Sequence, residues 1–426
     1  MKNLFFLCLI FLLFSSFSFS EELENTTGFA GQLEQQSFNP DNETQKYLNT
    51  LTPEQKEKSD AYFEGGYWIS LWEYLMEVLI AWIFLSLGLS RWMKKRVKKV
   101  RYINVQNFIY VSFYFIFAFI LTFPLNLYTG FFREHKYGLS NMAFTGWLID
   151  EMKGLAVIVI SMGIFITVLY AIIRKVKNNW WIWGYCFTSI SMIFVILIYP
   201  VFVAPLFNEY KPLENKELRE QILSMAKANS VPVENIYEFN ASKQSNRISA
   251  NVSGIGSTIR VSLNDNLLNQ CTPAEIRSVM AHELGHYVLN HVYKLAFFLL
   301  VLFFLCFAFV NRAFNRLIYR FKNKWCISGI GDITGLPLAV ILFVTFFFVT
   351  SPILNTVSRT IEAEADIFGV NAAREPDGFA SVAMKLATYR KLDPGPLEEF
   401  LFYDHPSGKS RILMAMRWKS EHLNDQ

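Results

Sequence analysis

Two histidines four residues apart flank a glutamate in the run His282-Glu283-Leu284-Gly285-His286. On an α-helix, residues at this spacing project from one face, so both imidazoles can bind a single Zn²⁺ ion. Glu283, beside the first histidine, can accept a proton from a metal-bound water. Because the chain has only six histidines among 426 residues, a chance pattern is a weak explanation. We predict the core of a metallopeptidase site.

A catalytic zinc site typically has three protein ligands and an open position for water, so a third ligand must come from elsewhere in the chain. Downstream, Glu362 and Asp366 are four residues apart on one face of a predicted helix, and Glu364 points away from that face. We predict Glu362 as the third ligand, and Asp366 as the acceptor for the far nitrogen of a ligating histidine. An ordinary solvated, charged helix is the alternative. His291 is a rival ligand, but it lies five residues past His286 and is rotated off the ligand face.

Helix signals precede the histidine pair. Thr272 can cap a helix, Pro273 suits the first helical position, and Glu275 completes a capping box. Nothing from Pro273 to about Val310 breaks the helical pattern. We therefore predict that the helix with the histidines continues directly into a membrane span.

The segment before this helix changes its period. Residues 207–229 are amphipathic and predict a helix, whereas 236–263 predict short strands. The strand through Asn251, or the next one at 258–263, could pair with an extended substrate backbone. A plain core hairpin beneath the zinc helix is an equally good interpretation.

The composition predicts an integral membrane protein. The hydrophobic fraction is 52%, the charged fraction is 18%, and the chain has 41 Phe and 10 Trp, which a water-soluble domain would struggle to cover with polar surface. We predict a mainly α fold, a polytopic membrane helical bundle with a small α+β zinc metallopeptidase domain. Six apolar runs have membrane length, at 70–90, 105–127, 154–173, 180–203, 293–311 and 335–355.

These runs divide the chain into six regions. They are a signal peptide or first membrane helix at 1–20, a polar N-terminal segment at 21–69 that shows no helical or strand period as far as 62, a four-helix membrane region at 70–203, the first part of the peptidase domain at 204–292, two further spans at 293–355, and the second part of the domain, with the third ligand, at 356–426.

Basic residues follow the first, third and fifth predicted spans, at 91–101, 174–177 and 312–324. The positive-inside rule makes these loops cytoplasmic and the zinc site extracytoplasmic, in a bacterial inner membrane. Because the net charge of +4 comes largely from these loops, we expect no nucleic-acid partner. The five cysteines show no CxxC spacing and imply no disulfide framework.

Further motifs are spread over most of the chain. They are Phe123–Tyr128, Glu134–Gly138, Pro205–Leu213, His282–His286, Ser358-Arg359 with Glu362 and Ala365-Asp366, and His405–Ser407 with Arg411. Together they resemble the integral-membrane zinc metallopeptidases of the CAAX prenyl protease type, whose helices enclose a large water-filled chamber. The resemblance implies His282, His286 and Glu362 as ligands of one zinc ion and Glu283 as the base. It also implies that His405 and Arg411 stabilise the oxyanion or orient the site. From the residues alone, His405 could equally be a surface histidine beside a proline turn.

The chain departs from this family in two places. The family often has a His-Ser-Asn-Ala-Tyr run before Gly-x-Gly, whereas residues 247–253 here read Arg-Ile-Ser-Ala-Asn-Val-Ser. Asn251 is our candidate for the substrate-binding asparagine, at a shifted position. Eukaryotic relatives begin with a retained span and direct the site towards the cytosol, so a cytosol-facing site is the alternative.

We therefore predict a membrane zinc endopeptidase, in which Glu283 takes a proton from zinc-bound water as hydroxide attacks a peptide carbonyl. Its expected substrates are peptides or proteins, lipidated or not: membrane-associated, misfolded or CAAX-type C-terminal chains. We expect contact with membrane lipid and a monomer. A noncatalytic membrane chaperone or scaffold with the same fold is the alternative, and a transporter is a third reading, which the few intramembrane charges disfavour.

Overall fold

The structure, a computed structural model, describes residues 38–253 and 259–423. The predicted signal peptide at 1–20 lies outside the described residues. So do Gly254 and Gly256.

The first half of the described chain is a series of helices. They are α1 (Pro40–Leu48), α2 (Pro53–Ser86), α3 (Leu89–Val97), α4 (Ile103–Leu127), α5 (Arg133–Lys136), α6 (Phe144–Val176) and α7 (Trp180–Ile198), with π-helical turns at Tyr128–Phe132 and Tyr199–Val203.

The second half contains the strands and the remaining helices. In chain order these are β1 (Tyr210–Pro212), α8 (Lys216–Ala228), β2 (Asn235–Phe239), β3 (Ala250–Ser253), β4 (Arg260–Asn264), α9 (Asp265–Gln270), α10 (Pro273–Val288), α11 (His291–Arg320), α12 (Lys322–Trp325), α13 (Leu336–Ala373), α14 (Pro376–Leu386), α15 (Pro396–Phe402) and α16 (Gly408–Glu421). The predicted mainly α fold with a small sheet is confirmed.

Residues 40–48 and 53–62 are helical, so the prediction of no regular structure is wrong for these parts of the polar segment. Asn39 caps α1 through its side chain, and Thr52 and Gln55 form a capping box at the start of α2. These caps satisfy backbone N–H groups that have no partner within the helix. Polar composition therefore hid two helix starts that the capping residues mark.

Five helical runs among the described residues are long and apolar enough to cross a membrane, not six. They are Pro53–Ser86, Ile103–Lys136, Phe144–Leu206, His291–Arg320 and Ile333–Ala373. The number is smaller because the predicted spans 154–173 and 180–203 lie in one helical run. That run turns at Lys177, where φ is 53°, and α6 then packs against α7.

The small sheet lies under α10. Its strand order is β1-β2-β4-β3, with β2 parallel to β4 and the other pairs antiparallel. Apolar side chains of the sheet, α8 and α10 form one buried cluster, which includes Ile222, Ile236, Val261, Leu263, Met280 and Leu284. Strand β3 is at an edge of the sheet and contacts α10.

The helix with the histidine pair does not continue into the next span, contrary to the prediction. Helix α10 ends at Val288, and Asn290 is left-handed with φ 57° before α11 begins at His291. Asparagine tolerates this conformation better than most residues, because its short side chain can hydrogen-bond locally. The break allows His291 to turn back towards α10.

Candidate metal centre

Two glycines allow α10 and α13 to approach at backbone distance. A Cβ atom on Gly369 would lie 2.9 Å from the backbone nitrogen of His282, and one on Gly285 would lie 2.9 Å from Phe368 Cδ1. Both distances are shorter than real Cβ contacts, so no other residue fits without movement. This close crossing brings Glu362, nearly two turns before Gly369 on α13, to the histidine face of α10.

The predicted ligand atoms converge. The Nε2 atoms of His282 and His286 are 3.1 Å apart, and Glu362 oxygens lie 3.2 Å and 3.7 Å from them. The three residues are only 8%, 7% and 2% exposed. Tetrahedral zinc with bonds near 2.0–2.1 Å needs ligand atoms roughly 3.3 Å apart, which these spacings approach.

The chemistry of the donor set also fits a cation. Glu362 Oε2 is buried and accepts no well-aligned hydrogen bond from the described residues, although His282 Nε2 lies 3.2 Å from it and His405 Nε2 lies 3.4 Å from it. When both histidines are neutral, two imidazole nitrogens and a carboxylate can direct lone pairs at one point, and a cation between them would offset the cost of burying these polar groups. The group His282, His286 and Glu362 could therefore hold a metal ion.

His282 is supported from the carboxyl-terminal part of the chain. Its Nδ1 lies 2.8 Å from Asp366 Oδ1, and Arg411 donates to both Asp366 oxygens, at 2.8 Å and 2.6 Å. Burial lowers the pKa of His282, but Asp366 and Glu362 outweigh burial and raise the pKa to about 10. The structure therefore brings Asp366 to the predicted position, whereas Arg411 contacts Asp366 and acts on the histidine through it.

His286 is supported by residues of the membrane helices, which the sequence analysis did not assign to the site. Its Nδ1 lies 2.9 Å from Nδ1 of His291, and His291 Nε2 lies 2.9 Å from Glu364. Lys294 donates to the same Glu364 oxygen at 2.9 Å. Burial lowers the pKa of His286 to about 4. His291 thus stands behind His286, on the side away from the other ligands. The sequence signal that could have indicated this is Asn290, because asparagine tolerates the left-handed conformation that separates α10 from α11.

Glu283 lines the same cavity as the three ligand residues, a space of about 320 Å³. Burial raises the pKa of its carboxyl to about 7, against smaller lowering effects of His282 and other neighbours. One of those neighbours is the Val252 backbone, which hydrogen-bonds the carboxyl. A carboxyl group with this pKa can accept and return protons at neutral pH.

His405 also lines the cavity, and its Nε2 lies 3.4 Å from Glu362. Its Nδ1 is 2.7 Å from Asp404. Arg359 donates to the carbonyls of Glu399 and Tyr403, at 2.8 Å and 2.6 Å, and so ties down the segment that leads to His405. His405 is therefore a wall residue of the site.

Asn251 lies in β3, half-buried, and it is absent from the residues that line the cavity, although Ala250 lines it. The Asn264 N–H donates to the Ser249 carbonyl at 2.9 Å, so the backbone polar groups of Ser249 point towards β4. In an antiparallel pair these groups alternate in direction, so the backbone N–H and C=O groups of Ala250 and Val252 point away from β4, towards the open edge of the sheet. The structure brings the backbone of this strand to the cavity, but not the Asn251 side chain.

Comparisons with known proteins match nearly the whole described chain. The family model of peptidase family M48 matches residues 212–419, and that of the CAAX prenyl protease N-terminal region, five membrane helices, matches residues 35–209.

Individual relatives agree with these matches. The uncharacterized metalloprotease YhfN of Bacillus subtilis is 29% identical over 346 residues, 80% of each chain. A CAAX prenyl protease 1 homolog of Oryza sativa subsp. japonica is 30% identical over 300 residues, 68% of each chain. The crystal structure of S. mikatae Ste24p has the same fold, with a TM-score of 0.75 and 23% identity over 88% of this chain and 94% of that one.

Proposed function

Since the chain belongs to peptidase family M48 and is a multi-pass membrane zinc endopeptidase, we propose that His282, His286 and Glu362 hold its single zinc ion. The observation that carries this proposal is the convergence of their ligand atoms, all within 4.8 Å of one another. When bound, zinc acts as a Lewis acid and lowers the pKa of a coordinated water towards about 7.

We propose that Glu283 is the general base of peptide hydrolysis. Its pKa near 7 suits a group that takes a proton from the attacking water and returns it to the leaving amine. The Val252 backbone orients this carboxyl. His405 Nε2 is close enough to the ligand set to donate to the oxyanion that develops on the substrate carbonyl. Arg411 positions His282 through Asp366.

The substrate is a peptide or protein chain, and we propose that it binds extended along β3. The strand is at the sheet edge beside the cavity, where its outward peptide groups can form main-chain hydrogen bonds that tolerate many sequences. Asn251 would then contact substrate through the strand rather than line the catalytic cavity. Because several relatives are named CAAX prenyl proteases, we include CAAX-type C-termini, lipidated or not, with misfolded and other membrane-associated chains as substrates.

For topology, we propose an extracytoplasmic site in a bacterial inner membrane and a monomer in contact with lipid. The basic loops meet at one end of the bundle, since Lys94 of α3 pairs with Asp332 at 2.8 Å and Arg174 donates to Asn104 at 2.7 Å. Helix α11 runs from His291 beside the candidate ligands to Arg320, and 30 helical residues span about 45 Å. The basic end and the metal centre are thus a membrane thickness apart. We propose that the run Phe144–Leu206, which turns at Lys177, crosses the membrane twice, as α6 and α7. Five crossings then separate Lys99 from the C-terminus, so reporter fusions after Lys99 and at the C-terminus must report opposite compartments.

We also propose that 204–292 and 356–426 form one peptidase domain, with 70–203 and 293–355 as its membrane support. Packing of α10 against both α13 and α14 supports this division.

The decisive experiment compares zinc content and peptide cleavage of wild type and Glu283→Gln in purified, detergent-solubilised protein. We expect full zinc content and a loss of cleavage of about 10²-fold or more, because the base is removed and the ligands remain. Glu220→Gln is the matched control, because Glu220 is 73% exposed on α8. Equal cleavage by wild type and Glu283→Gln would contradict the mechanism. Zinc without cleavage in wild type would favour the scaffold alternative.

A further inference from the structure

Three hydrogen-bonded side chains lead away from the candidate ligand His286. Its Nδ1 meets His291 Nδ1 at 2.9 Å, His291 Nε2 meets Glu364 Oε2 at 2.9 Å, and Lys294 Nζ donates to that same oxygen at 2.9 Å. His291 is 1% exposed. The helix break at Asn290 directs it back against α10.

Only one assignment of donors and acceptors is consistent along this series of hydrogen bonds. His286 faces His282 and Glu362 with Nε2, so a ligand role requires its proton to be on Nδ1. His291 Nδ1 must then accept that proton's hydrogen bond, which leaves the His291 proton on Nε2. That N–H faces a carboxylate oxygen of Glu364, which is an acceptor.

We propose that His291, held by Glu364 and Lys294, is a positioning residue that fixes the tautomer and ring orientation of His286 and thereby strengthens zinc binding. This inference rests on the proposed role of His286 as a zinc ligand. His291 is not a ligand itself, because its Nδ1 faces the far side of the His286 ring from the converging ligand atoms.

The experiment measures the zinc dissociation constant of the full-length protein by competition with a chelator, together with thermal unfolding in excess chelator. His291→Leu removes both hydrogen bonds at similar volume, and His291→Gln keeps one acceptor and one donor. Loss of an outer partner of a metal-binding histidine typically weakens metal binding about 10–100-fold. We expect that loss for His291→Leu, a smaller one for Glu364→Gln, and substantial recovery in His291→Gln.

His422→Leu is the matched control, because that histidine stacks on Trp418 and its Nδ1 lies 2.8 Å from the Trp418 carbonyl. It should bind zinc as wild type does. The double variant His291→Leu/Glu364→Gln should be no weaker than His291→Leu, because Glu364 acts through His291.

Different results would contradict the positioning role of His291 and the ligand role of His286. If His286→Ala keeps wild-type zinc affinity, the ligand assignment is wrong. If His286→Ala loses zinc but Glu364→Gln and both His291 variants keep wild-type affinity, only the positioning role of His291 is overturned. Equal weakening by His291→Leu and His291→Gln would mean that packing, not hydrogen bonding, is what His291 supplies. Should His291→Leu fail to fold, the comparison of His291→Gln with Glu364→Gln decides: Glu364→Gln must be the weaker binder.

Discussion

The two histidines of the candidate metal centre are supported by different parts of the molecule. On one side, Asp366 lies directly against His282 and is held by Arg411 from α16. On the other side, a second imidazole, His291, stands between His286 and its carboxylate. We call these the aspartate side and the relay side.

The electrostatic consequence differs between the two sides. On the aspartate side, carboxylates overcome burial and raise the pKa of His282 to about 10. On the relay side, burial dominates and the pKa of His286 falls to about 4. The Arg411 and Asp366 side chains are 11% and 2% exposed, whereas Lys294 and Glu364 are 39% and 18% exposed. The aspartate side is therefore a buried ion pair, and the relay side ends in a partly solvated one.

The largest effect on stability should come from Arg411→Met. It leaves Asp366 buried without its cation, and breaking a buried pair typically costs about 3–5 kcal/mol. Denaturant unfolding in detergent should show this loss. Lys409→Met is the control, because Lys409 and Asp393 form an exposed pair, 46% and 53% accessible. A loss of less than about 1 kcal/mol would contradict the contrast, since that is the range of exposed pairs.

Gly369→Ala should have the next largest effect, because both sides depend on the close crossing of α10 and α13. The added Cβ atom would meet backbone atoms of His282 at 2.9–3.0 Å, and overpacking typically costs about 1–3 kcal/mol. Zinc affinity should fall as Glu362 moves away from the histidines. Gly66→Ala on α2 is the matched control, since nothing lies within 4 Å of its added Cβ atom. Wild-type unfolding and zinc binding in Gly369→Ala would show that the helices can separate without consequence.

The pH dependence of cleavage tests which side acts on Glu283. Burial raises its pKa from 4.5 to about 7, and the base must be ionised, so kcat/KM should fall about tenfold per pH unit as the pH drops below that value. Arg411 is among the charges that lower this pKa. Arg411→Met should therefore move the acid limb to higher pH, while Lys294→Met should leave it in place. If the acid limb stays at the same pH in Arg411→Met, the charge of Arg411 does not influence the pKa of Glu283.

The smallest effect should come from Lys294→Met. Because Lys294 is 39% exposed, its pair with Glu364 contributes at most about 1 kcal/mol to the free energy of unfolding. The same denaturant titration in detergent checks this value. A loss as large as that of Arg411→Met would show that the relay side is also a buried electrostatic unit.

The sequence was sufficient to predict the fold class, and it picked out the three residues that the structure brings together as a candidate ligand set. The i, i+4 spacing of His282 and His286 fixes a shared helix face, and Glu362 with Asp366 repeats that spacing on a second helix. The capping box at Thr272 marks the start of α10 where the structure has it. These are local signals, because residues within one or two helical turns determine them.

The relay and the number of spans could not be predicted in this way. A single left-handed residue, Asn290, ends α10, and an apolar pattern carries little information about one backbone angle. On an unbroken helix, His291 would be rotated off the ligand face, and the spacing alone would not predict its contacts with His286 and Glu364. Similarly, the helical continuity of Phe144–Leu206 depends on the three residues Lys177–Asn179. The placement of β3 relative to the cavity depends on tertiary packing, so Asn251 was assigned by resemblance.

The helix break at Asn290 has a mechanical consequence. Helix α11 is a rod about 45 Å long with His291 at one tip, so a small change of tilt displaces that tip relative to α10. Tilting is one way in which such a helix accommodates a mismatch between its apolar length and the bilayer thickness. We therefore expect the zinc affinity to vary with lipid acyl-chain length. Chelator competition on protein reconstituted in short-chain and in long-chain vesicles would measure this dependence.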